Sequence, residues 1–168
     1  MATRTEIIPI WTERDLALVD AHPKVARLFA HWKSRHRPEG MPGRAQLDPL
    51  ELGDLLPGLW LVEVQRQPFR LRYRLVGARV VEAMGRDVTG LWFDEAHTTA
   101  ASQPNYMERS KTVVETGVPS WRRGPPRLWR HDVYSQIENL ILPLADDGRT
   151  IDLLIVLTVF YRLDGTAE

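Results

Sequence analysis

Between Pro23 and His36 the apolar positions Val25, Leu28, Phe29 and Trp32 recur at helical spacing, while Lys24, Arg27, Lys33, Arg35 and Arg37 fall on other faces. Asp20 is placed to cap this helix and Pro23 stands in its first turn. The breaker cluster Pro38-Glu39-Gly40-Met41-Pro42-Gly43 ends it. So broad a stripe must be covered, either by the chain's own domain or by a second copy. Asp48-Pro49-Leu50-Glu51 then reads as a short helix start: a cap, a proline, and a glutamate three residues after the cap. Leu52, Leu55 and Leu56 supply its buried side, and Pro57-Gly58 closes it.

The period then changes from helical to two. Leu59 to Val64 is an apolar, partly β-branched strand. After Gln65-Arg66-Gln67-Pro68, Phe69, Leu71, Tyr73 and Leu75 alternate with Arg70, Arg72 and Arg74, predicting a half-buried strand and a hairpin. Gly77 opens a short segment in which Val80, Val81 and Met84 are helically spaced before Gly85. Leu91-Trp92-Phe93 leads a turn or short helix. Tyr106, Met107, Val113 and Val114 predict a helix over 104–115, stopped by Gly117. Trp121, Leu128 and Trp129 flank Gly124-Pro125-Pro126, so a third strand there is bent or interrupted. Val133–Leu144 and Ile151–Tyr161 are long strands joined by Asp146-Asp147-Gly148, a tight-turn signal. Strands at both ends of a helical middle define an α+β fold with one five-stranded antiparallel sheet, several short helices between the strands and a flanking N-terminal helix.

Composition narrows the choice. A chain of 168 residues has room for one domain and an extension, read here as an N-terminal extension over 1–45 and a domain over 46–163. Lys plus Arg and Asp plus Glu both number 22, so an anionic partner would need a local patch. Cysteine is absent, which removes disulfides, thiolate metal sites and cysteine nucleophiles. No apolar run approaches the roughly 20 residues of a membrane span, and MATRTEIIPIW lacks the core of a signal peptide. The expectation is a cytoplasmic protein with no membrane partner.

The order of elements resembles the PAS fold, and particular residues make it similar to a family of small bacterial PAS-like proteins that usually stand alone. These are Trp32, Pro42-Gly43-Arg44, Asp48-Pro49, Leu55-Leu56-Pro57, Arg72-Tyr73-Arg74-Leu75-Val76-Gly77, Gly85-Arg86-Asp87-Val88-Thr89-Gly90 and Leu142-Pro143-Leu144. The resemblance covers roughly residues 24–160. It implies the strand order 2-1-5-4-3, middle helices over one face, and a role in sensing or protein interaction with no ligand named. It also implies that the flanking helix packs on its equivalent in a homodimer through Val25, Leu28, Phe29 and Trp32. Each such side chain is worth roughly 1.5–3 kcal/mol when buried.

The chemistry for catalysis is thin. His22, His31, His36, His97 and His131 show no metal-ligand spacing. His97 is the one histidine in the expected pocket region, either a structural residue or, since PAS domains that carry haem use a helix histidine, a weak haem or metal candidate. No serine lies in a nucleophile elbow, and the Gly85–Gly90 loop lacks the Gly-Lys-Ser/Thr ending of a phosphate loop. No enzyme is expected, and nothing names a cofactor. Two constellations remain. Trp92, Phe93, His97, Tyr106, Trp121, Trp129 and Tyr134 fall in the pocket-forming half and line either a ligand site or a plain core, with Trp92, Tyr106 and Trp129 expected to converge. Arg122, Arg123, Arg127 and Arg130, interleaved with tryptophans, form a basic row that could join Arg70, Arg72 and Arg74 if the two adjoin. The reading is a non-enzymatic sensor or interaction module in signal transduction. It would bind a small molecule, an unidentified protein partner, or both, and it has no room for an output domain of its own. Binding of nucleic acid or another anionic partner through the arginine rows is the alternative, and a small-pocket enzyme on a related α+β cone is a further one.

Overall fold

The computed structural model describes residues 18–101, 106–126 and 132–168. After a 3₁₀ turn at Leu18–Asp20 come helix α1 (Pro23–Ser34), 3₁₀ turns at Arg44–Gln46 and Gly53–Gly58, and strands β1 (Leu59–Arg66) and β2 (Phe69–Val76). Helices α2 (Ala78–Met84), α3 (Phe93–Ala96), α4 (Thr98–Ala101) and α5 (Glu108–Thr116) follow, then strands β3 (Ser120–Gly124), β4 (Tyr134–Leu144) and β5 (Leu153–Arg162). The five strands form one antiparallel sheet in the order β2-β1-β5-β4-β3. The α+β class and the strand order both match the expectation.

Local chemistry sets most of the boundaries. Period-two alternation buries Leu71 and Tyr73, but a register slip between Leu61 and Val62 drops Arg74 from the pairing and leaves Leu75 39% exposed. A Cβ at Gly77 would stand 2.4 Å from the carbonyl oxygens of Leu56 and Pro57. Only a residue without a side chain lets α2 begin so close to the Gly53–Gly58 turn. At the other end of the middle region, Gly117 stops α5 with φ 71°, a left-handed cap.

Both faces of the sheet are covered, which is why β4 and β5 read as nearly continuous apolar runs. On one face, Val80 and Ala83 of α2, Val88, Phe93 of α3 and Val113 of α5 pack on Val62, Tyr73, Ile137, Ile141, Val156 and Phe160. On the other, α1 together with Leu47, Leu52 and Leu55 packs on Leu61, Leu140, Leu142, Ile155 and Leu157.

This arrangement corrects the dimer assignment of the α1 stripe. Val25, Leu28, Phe29 and Trp32 are fully buried against the chain's own sheet, and the Trp32 indole donates to the Pro143 carbonyl at 2.8 Å. The cause is the connection, which reverses the chain instead of detaching the helix. Arg37 and Gly40 exchange backbone hydrogen bonds of 2.9 Å, and the Arg37 guanidinium donates to the carbonyls of Met41, Ala145 and Asp146. Backbone bonds from Met41 to Gly148 and from Ala145 to Pro42 strap the segment to the β4–β5 loop. That loop is longer than a tight turn: the Asp147 carboxylate accepts from the amides of Arg149 and Thr150 at 2.8 and 2.6 Å. The α1 cap is His22 rather than Asp20, its ring accepting from the Lys24 amide at 3.1 Å.

Candidate functional site

Four rings from β1, β2, α3 and the residue after α3 meet on the face covered by the short helices. Tyr73 and Phe93 stack with centroids 4.5 Å apart, Trp60 lies 5.5 Å from Tyr73 and 5.9 Å from Phe93, and His97 meets Phe93 edge-on at 5.8 Å. The Tyr73 hydroxyl and His97 Nε2 share a hydrogen bond of 2.7 Å. Burial pushes the Tyr73 phenol up, and burial, helped by the nearby Arg86, pushes His97 down to about 4. Both groups are therefore neutral near pH 7. With Nε2 committed to Tyr73, His97 offers no open position on that nitrogen for a haem or metal, and it reads as a structural histidine. Among the described residues no cluster of three or more His, Asp or Glu side chains could hold a metal ion.

The neutral imidazole makes stability acid-sensitive. Because the folded pKa lies below the ordinary 6.5, stability held above pH 6.5 is lost as pH falls toward about 4. Part of the ring is solvated, so the loss is discounted to about 1–2 kcal/mol. His22, also lowered by burial, acts in the same direction. Urea midpoints measured from pH 7 to pH 4.5 are expected to fall steeply in the native chain and less steeply in His97→Gln. An unchanged slope would refute the assignment.

A polar line crosses the same layer. Thr158 on β5 and Asn139 on β4 are buried, 1% and 5% exposed, in otherwise apolar surroundings. The Trp60 indole and the Asn139 amide both donate to the Thr158 hydroxyl, at 3.0 and 3.1 Å. Arg109 of α5 donates to Asn139 Oδ1 at 2.9 Å and to the Ser120 hydroxyl at 3.1 Å, and also reaches the carbonyls of both residues. Polar groups buried in this way need fixed partners, so the line sets the position of α5 over the sheet. Sequence reasoning passed over Trp60, Tyr73, Arg109, Asn139 and Thr158 as site residues. The available signal was a polar residue interrupting each of the two longest apolar runs.

The expected pocket residues divide. Phe93, His97, Tyr106 and Tyr134 belong to this layer, with Tyr106 half-buried against it and Tyr134 4.9 Å from Phe160. Trp92 does not. Its ring lies beside β2 under the guanidinium groups of Arg70 and Arg72, at 4.2 and 5.3 Å, so the convergence of Trp92, Tyr106 and Trp129 fails at its first member. Phe93 opens α3 while Trp92 precedes it in extended backbone, and their side chains diverge. Trp121 does not belong either. It pairs with Leu140 and so shares the α1 face, where its indole donates to Glu138 at 2.9 Å. Trp129, with Arg127, Arg130 and His131, lies outside the described residues.

Glu138 centres a second polar cluster, on the α1 face. The residue is 0% exposed. One carboxylate oxygen accepts from the His22 amide at 2.7 Å and from Trp121; the other accepts from Tyr161 at 2.8 Å and Arg123 at 3.1 Å. Burial raises its pKa, but these hydrogen bonds together outweigh burial and hold the carboxyl below its usual range. The start of α1 is thereby tied to β3, β4 and β5.

Among the described residues the two arginine rows do not adjoin. Of the described members, Arg70, Arg72 and Arg74 stand on β2 and Arg122 and Arg123 on β3, the two ends of the strand order, with three strands between. Four strand spacings make about 19 Å. Arg70 pairs with Asp94 at 2.9 Å, Arg72 and Arg74 both pair with Glu63, and Arg123 pairs with Glu138. A joined basic surface for nucleic acid is therefore not formed by these residues.

A family model described as a PAS domain matches residues 20–158, which takes in α1 and nearly the whole sheet. The chain belongs to the PAS domain family. No curated protein matches the sequence. Among the described residues no helix is long and apolar enough to cross a membrane.

Proposed function

We propose that this PAS domain is a non-enzymatic sensor and interaction module. It takes a small, largely apolar molecule between the short helices and the sheet, and it signals to a protein partner from the cytoplasm. One observation carries the reading: the Trp60–Thr158–Asn139–Arg109 line sets specific hydrogen-bonding groups into an aromatic layer, the composition of a site that orients a small ligand. The clasp of Glu138 on the start of α1 supports a route outward, because it ties the sheet to a helix with a polar outer face. A homodimer fits the proposal only through a surface other than the α1 stripe.

Native mass spectrometry of gently purified protein, compared with the denatured spectrum, tests the ligand. The expected result is an added mass that disappears on denaturation and is reduced in Asn139→Leu. The bare chain mass in both spectra would reject the small-molecule part of the proposal.

A further inference from the structure

A cavity of about 380 Å³ lies apart from the aromatic layer. It opens where the sheet has a gap. β1 pairs with β5 only as far as Leu59 opposite Leu157, and the segment after β5 returns to pair with it at Phe160 and Arg162. Thr158 and Val159 therefore lie between two partners. Leu55, Pro57 and Gly58 form one wall, Ala78, Arg79 and Glu82 of α2 another, and Lys24, Asp54 and Glu168 complete the lining.

The charges of this cavity are not evenly matched. Asp54 is held by Arg27 at 2.6 Å, Glu82 by Arg79 at 2.6 Å, and Glu168 by both Arg79 and Arg162. Each carboxylate thus has a guanidinium partner, and the ammonium of Lys24, near enough to add to the field on Asp54, forms no ion pair of its own with a described residue. Beside it the lining is apolar, through Leu55, Pro57, Ala78 and Leu157. Thr158 adds little of its own side chain: its hydroxyl is taken up by Trp60 and Asn139, and its carbonyl faces Gly58. A cation without an ion-pair partner beside an apolar wall, in a volume typical of small-molecule sites, matches one ligand chemistry.

We infer that this cavity is a second binding site, for a small organic carboxylate with an apolar body. The carboxylate is held by Lys24 and the body lies against Leu55, Pro57, Ala78 and Leu157. Thr158 belongs to both this lining and the polar line of the aromatic layer, so occupancy here is expected to be felt at Trp60 and Asn139. The site does not depend on a ligand being present in that layer.

Phenylacetate, with phenylacetamide as its uncharged counterpart, tests the assignment by amide NMR titration of the full chain. Phenylacetate is expected to shift the amides of Lys24, Gly58, Ala78 and Arg79 with a dissociation constant of roughly 1–10 mM, the range of a fragment-sized ligand. Phenylacetamide is expected to bind at least tenfold more weakly. Lys24→Gln, which removes no ion pair with a described residue, should abolish that preference, and Ala78→Phe should fill the cavity and remove binding of both. Equal binding of the two compounds, shifts confined to the aromatic layer, or unchanged binding in Ala78→Phe would each overturn the inference.

Discussion

Replacing Leu28 by aspartate is expected to unfold the protein rather than to release a folded monomer from a dimer. Leu28 has no exposed surface and sits between α1 and the sheet. Truncating a buried leucine alone costs about 2–5 kcal/mol. Aspartate adds an unpaired carboxylate in an apolar layer, a further penalty of several kcal/mol. The sum is comparable with the roughly 5–15 kcal/mol that holds a typical domain together. Circular dichroism and urea titration should show loss of the cooperative transition at every protein concentration. A Leu28→Asp chain that keeps native spectra and sediments as a folded monomer would show that the stripe faces another copy after all.

Glu138→Ala is expected to be nearly as damaging, and more damaging than Glu138→Gln. The alanine strands Arg123 and leaves the Trp121 indole, the Tyr161 hydroxyl and the His22 amide without their acceptor. Removing one partner of a buried ion pair costs about 3–5 kcal/mol. Glutamine keeps the shape and one acceptor oxygen, so roughly half that cost is expected. The sign of the pH effect follows from the lowered carboxyl. Its stabilisation is present above the ordinary value of 4.5 and is lost as pH falls through the lower folded pKa. Urea midpoints at pH 7 for the two variants, with proteolysis at the start of α1, measure both effects. If the two substitutions cost the same, or if neither loosens the 18–24 segment, Glu138 is not the clasp described.

The strands were legible because they rest on local signals, whereas their order followed only from the resemblance to the PAS fold. The alternation from Phe69 to Leu75 fixed β2, and glycines at 77, 85 and 117 punctuated the helices where the backbone requires them. The stripe of α1 was equally legible, but periodicity states only that a face is buried, not what buries it. The partner is chosen by Arg37 reaching carbonyls more than a hundred residues away, a contact with no sequence period. The same limit governed the site. Aromatic residues near α3 were read as one wall, yet Trp92 and Phe93 occupy positions whose side chains part, and Trp121 takes its face from its pairing with Leu140. Asn139 and Thr158 stood out as polar residues in apolar runs, but their partners lie 19 to 98 residues off in the chain.

The strand order also has a consequence for synthesis. The innermost pairing of the sheet joins residues 59–63 to residues 153–157, about 90 positions later in the chain. At a ribosomal rate of roughly 5–20 residues per second, the β1–β2 hairpin waits on the order of 5–20 s for the strand that shields its inner edge. Throughout that interval Trp60, Leu61 and Val62 belong to a two-stranded ribbon too small to hide them. A nascent chain of this protein is thus obliged to linger half-built, with an open edge facing whatever the cell provides to shelter it.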